Sequence, residues 1–162
     1  GSVMIVLGDP SKTTEFPDSR NVCLTTNLEL TRYLIDDFIK RFPSFRDQPG
    51  LDTMTWLEVE SHSSDGDMAT SWTETMRATG CTAQMCWNDL GNPFAVEVGP
   101  KDSATGAHDM YSVFLEARSA SISINGVPLT GRVCERLFFG RKMSTAFMAV
   151  SETWVKPTLT EE

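Results

Sequence analysis

The clearest group of side chains that could do chemistry lies near residue 60. Glu58, Glu60 and His62 stand at alternate positions, so a strand that continues to residue 62 would place all three on one face. Two carboxylates and an imidazole on one face could share a proton or bind a divalent metal, because histidine titrates near neutrality. No second histidine follows at a diagnostic spacing. A solvent-facing strand end is therefore the favoured interpretation, and no metal site is predicted.

A second histidine lies at the end of a polar, glycine-containing segment. His108 is followed by Asp109, but neighbouring residues of a strand face opposite ways, so the carboxylate does not by itself orient the imidazole. A surface loop is the favoured interpretation here, and a joint site of His62 and His108 would need a contact in space that spacing does not show. The candidate catalytic residues are Glu58, Glu60, His62 and His108.

Large apolar side chains are the second kind of candidate. The chain has four tryptophans, eight methionines and nine phenylalanines. Such side chains fill irregular cores, and they also line pockets or anchor protein interfaces. Core packing is the favoured interpretation for each of them. If sheet and helix enclose a cavity, the candidate ligand-binding residues are Trp56, Trp72, Trp87 and Phe38.

The usual signatures of cofactor and disulfide chemistry are missing from the sequence. It contains no phosphate-binding glycine loop, dinucleotide fingerprint or nucleophile elbow, so no cofactor is predicted. Four cysteines are too few for a disulfide scaffold, and Cys81 and Cys86 lack the two-residue spacing of a zinc knuckle or redox pair. Free thiols packed as small apolar groups are expected.

Composition and charge indicate an ordinary globular protein. Of 162 residues, 40% are hydrophobic and 22% charged, which suits one domain over residues 3–157. An expression scar at residues 1–2 and an acidic tail at 158–162 are expected to flank it.

The net charge of −8 repels nucleic acid, and the longest apolar runs have five residues against about 20 for a membrane span. Neither nucleic acid nor a membrane is expected as a partner. A cytoplasmic location is expected.

One segment has the pattern of an amphipathic helix. Thr26 and Glu29 have the spacing of a capping box, and Pro43 ends the pattern. The sequence therefore predicts a helix over about residues 27–42. Its buried stripe is formed by apolar residues at three- and four-residue intervals, namely Leu28, Leu34, Ile35, Phe38, Ile39 and Phe42.

The rest of the chain is patterned mainly for strands. Alternating or β-branched runs predict strands at residues 3–7, 53–60, 69–77, 82–87, 94–98, 110–118, 120–124, 127–133 and 143–155. Residues 135–139 are also strand-like, with a short helical piece over 137–139 as the equal alternative. Turn-forming or polar residues predict loops at 9–21, 63–67 and 99–108, and a hairpin turn at 88–93.

The dipeptide Asn125-Gly126 is the strongest turn signal. It stands between two alternating runs, and a two-residue type I′ turn requires positive φ at both positions. A hairpin tip is therefore predicted here.

These elements predict an α+β domain. Its sheet would be a strongly curved antiparallel sheet or a partly closed β-barrel of about eight or nine strands, packed on one long N-terminal helix. The chain lacks the strand–helix–strand rhythm of a doubly wound parallel sheet. The pattern leaves open the choice between open sheet and barrel.

Three functions fit this fold, in decreasing order of preference. The first is a non-catalytic binding module that holds a small apolar ligand or a partner protein, including a basic one. The second is a small enzyme of the isomerase, cyclase or hydrolase type, with carboxylate and histidine acid–base chemistry in a pocket between sheet and helix. The third is a structural subunit whose strand edges pair between copies. The oligomeric state is left open.

Overall fold

Strands dominate the part of the chain that the structure, a computed structural model, describes: residues 1–8 and 21–155. Twelve strands form three sheets and account for 54% of these residues, against 13% in helical segments. None of the described sheets is strongly curved or closed into a barrel. The predicted curved sheet or partly closed barrel packed on a long helix is therefore wrong.

Some expectations lie outside the described residues. They are the loop at 9–21, apart from residue 21, and the acidic tail at 158–162. Within the described part, no helix has both the length and the apolar character that crossing a membrane requires.

The N-terminal strands form a three-stranded sheet. β1 (Val3–Leu7) pairs antiparallel with β2 (Asn21–Thr25), and β2 pairs parallel with β3 (Thr55–Glu58). The parallel pair departs from the antiparallel sheet that was predicted. It arises because the helical segment between β2 and β3 carries the chain back along the sheet, which is the usual crossover between parallel strands.

That helical segment is shorter and less regular than predicted. An α-helix, α1 (Leu28–Tyr33), continues into a π-helical turn (Leu34–Phe38) and a 3₁₀ turn (Ile39–Arg41), 14 residues in all. A π turn rotates the residues that follow it relative to a regular α-helix. The long regular helix over residues 27–42 is thus replaced by three short pieces.

The cap and the buried stripe of this segment also differ from prediction. Asn27 is the N-cap, and its Oδ1 accepts a hydrogen bond from the Leu30 amide at 3.0 Å. The Thr26 hydroxyl instead accepts from the Ser2 amide at 2.7 Å, so the predicted capping box does not form. Ile35 is 2% exposed, whereas Leu28 is 45% exposed.

The three-stranded sheet is apolar on both faces. One face contacts the helical segment through a buried cluster of Cys23, Ile35, Leu51 and Met54. The other face packs on the larger sheet, and the side chains buried there are Met4, Val6, Val22, Leu24, Met76, Ala78, Cys81, Ala83 and Ile124.

A 3₁₀ turn (Pro49–Asp52) before β3 and nine further strands complete the described fold. The strands are β4 (Ser61–Gly66), β5 (Ser71–Ala78), β6 (Cys81–Leu90), β7 (Phe94–Val98), β8 (Asp109–Ile124), β9 (Val127–Pro128), β10 (Glu135–Phe138), β11 (Arg141–Ser144) and β12 (Phe147–Trp154). The largest sheet has the order β12-β8-β6-β5-β4, and both β7 and β9 pair with β8. β10 and β11 form a separate hairpin.

Two predicted connections lie at least partly in strands. The expected loop at 63–67 falls mostly in β4, every residue of which is exposed, so its polarity hid its pairing with β5. The expected hairpin turn at 88–93 is a bulge. Leu90 lies opposite Ala117 and Phe94 lies opposite Phe114, so the chain from β6 to β7 advances four residues while β8 advances three. The extra residue bends the strand while β6 and β7 both stay paired with β8.

The turn predicted at Asn125-Gly126 is confirmed. The φ angles are 51° and 77°, and Ile124 pairs with Val127 across the turn. The Asn125 side chain also accepts from the Thr82 amide at 2.7 Å and donates to the Gly80 carbonyl at 3.0 Å. The turn is therefore joined to the neighbouring β5–β6 turn.

Replacing Gly126 by valine should destabilise the fold by about 1–3 kcal/mol, because a β-branched residue resists positive φ. A Cβ at this position meets nothing within 4 Å, so the cost comes from the backbone conformation alone. The measurement is the free energy of unfolding in urea. Gly99→Val is the matched control, since Gly99 also faces open space but has no positive φ. Equal stability of the two variants would contradict the assignment.

Candidate functional site

The predicted face shared by Glu58, Glu60 and His62 does not form. β3 ends at Glu58 in the three-stranded sheet, and β4 begins at Ser61 in the large sheet, so the strand does not persist to His62. Glu60 lies between the two strands, and its Oε1 accepts a hydrogen bond from the Thr79 hydroxyl at 2.6 Å.

His62 is paired instead with a residue that the sequence analysis missed. Its Nε2 lies 2.5 Å from Oε2 of Glu74. In the register of β4 with β5, His62 is opposite Met76 and Ser64 is opposite Glu74, so these side chains share one face of the sheet. The signal that could have found Glu74 was its place between Trp72 and Met76 in an alternating run, but its partner strand had been predicted as a loop.

Three side chains in the described part of the chain donate to the Glu74 carboxylate. Oε2 accepts from His62 and from the Ser64 hydroxyl at 2.8 Å, and Oε1 accepts from Trp72 Nε1 at 2.7 Å. Burial by itself would raise the pKa of the Glu74 carboxyl, but the hydrogen bonds from His62, Trp72 and Ser64 outweigh burial and hold that pKa below its ordinary value. Glu74 is therefore ionised near neutral pH.

The contact with Glu74 determines which histidine nitrogen carries a hydrogen. An ionised carboxylate only accepts hydrogen bonds, so His62 Nε2 must be the donor. In the neutral imidazole, Nδ1 is then the acceptor. Glu74 thus orients His62 in the manner that a carboxylate orients a catalytic histidine.

This pair lies at the edge of an open cleft of about 440 Å³. Across the strands, Met85 is opposite Glu74 and Trp87 is opposite Trp72, so both belong to the same face as the pair. The start of β1 forms the opposite wall. The cleft is lined by Ser2, Val3, Met4, Ile5, His62, Glu74, Met76, Met85 and Trp87.

Two of the four predicted ligand-binding residues lie at the cleft, and the other two lie elsewhere. Trp87 lines the cleft, and Trp72 holds Glu74 beside it. Trp56 lies on β3 against the helix-side cluster, with the Arg32 guanidinium 5.6 Å from its ring. Phe38 is half-buried and packs edge-on against Phe42 at 5.0 Å between ring centroids.

The second candidate histidine, His108, does not line the cleft, and it contacts neither Glu58 nor Glu60. His108 Nδ1 is 2.7 Å from the Thr105 hydroxyl, and its ring packs edge-on against Phe38 at 5.7 Å. It is thus held at the end of its loop. His62 and His108 do not form a joint site in the described structure.

The cysteines are all free thiols, as predicted. Cys23 and Cys81 are buried as small apolar groups, and burial raises the pKa of the Cys23 thiol to about 11. Cys134 is exposed, so the packing prediction is wrong for that residue. Over residues 1–8 and 21–155, no group of three or more His, Cys, Asp and Glu side chains could hold a metal ion.

The sequence matches no protein-family model, no curated protein and no solved structure. The geometry of the cleft is therefore the basis for the functional argument.

The depressed pKa of Glu74 predicts a pH dependence. The ionised Glu74 carboxylate should contribute fully to the free energy of unfolding at pH values above the ordinary pKa of glutamate. That contribution should be lost as the pH falls through the lower pKa of Glu74 in the folded state. Carbon NMR of the Glu74 carboxyl should show a titration midpoint below the ordinary range. Trp72→Phe, which removes the indole donor, should raise that midpoint.

Trp154→Phe is the matched control, because Trp154 lies at the exposed end of β12. It should leave the Glu74 midpoint unchanged. A Glu74 midpoint that is equal in all three proteins would contradict the role given to the Trp72 hydrogen bond.

Proposed function

We propose that this chain is a non-catalytic binding module that holds a small apolar ligand in the cleft beside His62 and Glu74. The observation that carries the proposal is the cleft itself, whose volume of about 440 Å³ lies within the range of about 300–1,000 Å³ typical of ligand pockets. Its walls are mostly apolar, and Ser2, His62 and Glu74 are the polar residues among them, which is the usual composition of such a site.

The apolar wall supports this proposal because it is only partly covered by the protein. Met76 is 3% exposed in the core, but Met85 and Trp87, on the neighbouring strand, are half-buried. Their remaining apolar surface would be removed from water by a ligand, at about 25 cal/mol per Å². Methionine suits this role because its flexible side chain adapts to ligands of different shape.

The polar pair supports a defined orientation of the ligand. His62 and Glu74 keep about a third and a quarter of their side-chain surface exposed, so both remain accessible from the cleft. Polar groups of this kind determine orientation and specificity in an otherwise apolar pocket.

We also propose a cytoplasmic location, which the four free thiols favour because a reducing compartment maintains them.

Nile red, a neutral dye that fluoresces in apolar surroundings, should bind saturably to the folded protein. Met85→Gln should weaken its binding about tenfold, which corresponds to about 1.4 kcal/mol of lost apolar contact. Met148→Gln on β12 is the control, since Met148 is also half-buried but does not line the cleft.

Urea unfolding would establish that both variants are folded before binding is compared. Equal dye affinity of the two variants would contradict binding in the cleft. The absence of saturable binding by the unmodified protein would contradict the proposal itself.

A second candidate function is a small acid–base enzyme that uses the same cleft. The observation that favours it is the 2.5 Å contact between His62 Nε2 and Glu74, because a carboxylate that fixes the tautomer leaves the other imidazole nitrogen as a general base. In this proposal His62 transfers the proton and Glu74 positions it. An isomerase, cyclase or hydrolase would use such a pair.

Nitrogen NMR of the imidazoles provides the test. In its neutral form, His62 should be the tautomer with hydrogen on Nε2, and Glu74→Gln should reduce that preference because the carboxylate no longer selects it. His108, which is held by Thr105, should be unchanged and serves as the internal control. A neutral His62 with its hydrogen on Nδ1 in the unmodified protein would contradict the proposed general base.

A further inference from the structure

We propose that the cleft selects ligands in which an ammonium group is attached to an apolar body, and that Glu74 binds the ammonium group. This inference rests on the proposed function as a binding module and names the chemical class of its ligand. It follows from three observations: an unused acceptor position on Glu74, the charge of the groups that line the cleft, and the adjacent aromatic wall.

The hydrogen bonds to Glu74 are unevenly distributed between its two oxygens. Among the described residues, Oε2 accepts from both His62 and Ser64, whereas Oε1 accepts from Trp72 alone. Each carboxylate oxygen can accept about two hydrogen bonds. Oε1 therefore has capacity for one further donor, and an ammonium group of a ligand can supply it.

The charge in the cleft is not balanced by a lysine or arginine. Glu74 and His62 are the titratable side chains that line it, and no lysine or arginine joins them among the described residues. Ser64 and Trp72 are neutral donors, so they stabilise the carboxylate without cancelling its charge. A cationic group of a ligand would pair with that carboxylate in partly desolvated surroundings, where a charge-assisted hydrogen bond is stronger than in water.

The field of the whole protein acts in the same direction. The net charge of −8 attracts small cations and repels anions at long range. Anionic apolar ligands such as fatty acids would have to approach against this field and then lie against an ionised Glu74. A ligand with a positive charge avoids both costs.

The aromatic wall also suits a cation. Trp87 lines the cleft directly opposite Trp72 in the strand register, and the face of an indole attracts ammonium groups more strongly than other aromatic rings do. Met76 and Met85 extend the wall with polarizable side chains. The carboxylate thus provides the anchor, while tryptophan and methionine cover the apolar body.

A matched pair of ligands tests the inference. Naphthylmethylamine is a cation near neutral pH, and naphthylmethanol is its neutral counterpart of nearly the same shape. Calorimetric titration of the folded protein should show that the amine binds at least about tenfold more tightly than the alcohol. In NMR, the indole N–H signals of Trp72 and Trp87 should shift on addition of the amine, while that of exposed Trp154 should not.

Glu74→Gln separates the charge from the cleft. It should lower the affinity for the amine about tenfold and leave that for the alcohol almost unchanged, because glutamine preserves shape but not charge. Equal binding of amine and alcohol by the unmodified protein would overturn the ammonium selectivity and leave the apolar binding site intact. Failure of both ligands to bind would overturn the selectivity together with the proposed function.

Discussion

The burial of β2 on both of its faces is the constraint on which the rest of the structure depends. Val22, Cys23 and Leu24 are each at most 1% exposed. Alternation sends Val22 and Leu24 towards the large sheet and Cys23 towards the helical segment. A strand of this kind needs a layer on each side, so the described fold has a helical layer, a small sheet and part of a large sheet stacked on one another.

The cleft is a consequence of this layering. The small sheet covers the row of side chains that contains Met76, Ala83 and Ile124. The next two rows along the same face contain the pairs Glu74–Met85 and Trp72–Trp87, which are only partly buried. A five-residue β1 is too short to cover a strand as long as β6 or β8. The same face therefore changes from core to candidate site within a few residues.

Within the site, the chemistry is determined by how the Glu74 charge is stabilised. A partly buried carboxylate without donors would be protonated or would disfavour folding. Hydrogen bonds from His62, Ser64 and Trp72 stabilise its ionised form instead. The same contacts orient the imidazole and leave Oε1 able to accept one further hydrogen bond. A single arrangement therefore supports both the binding proposal and the acid–base alternative.

Local patterns in the sequence by themselves determined the turn at Asn125-Gly126, most of the strands and the position of the helical segment, because φ preferences and side-chain periodicity act over a few residues. The partner of His62 was decided by the tertiary structure. β4 is polar along its whole length, so its own sequence carries no alternation that would set its register with β5. It pairs with the adjacent strand β5, which is held in the fold by its own buried residues Thr75, Met76 and Ala78, and that pairing placed His62 beside Glu74 rather than beside Glu58 and Glu60.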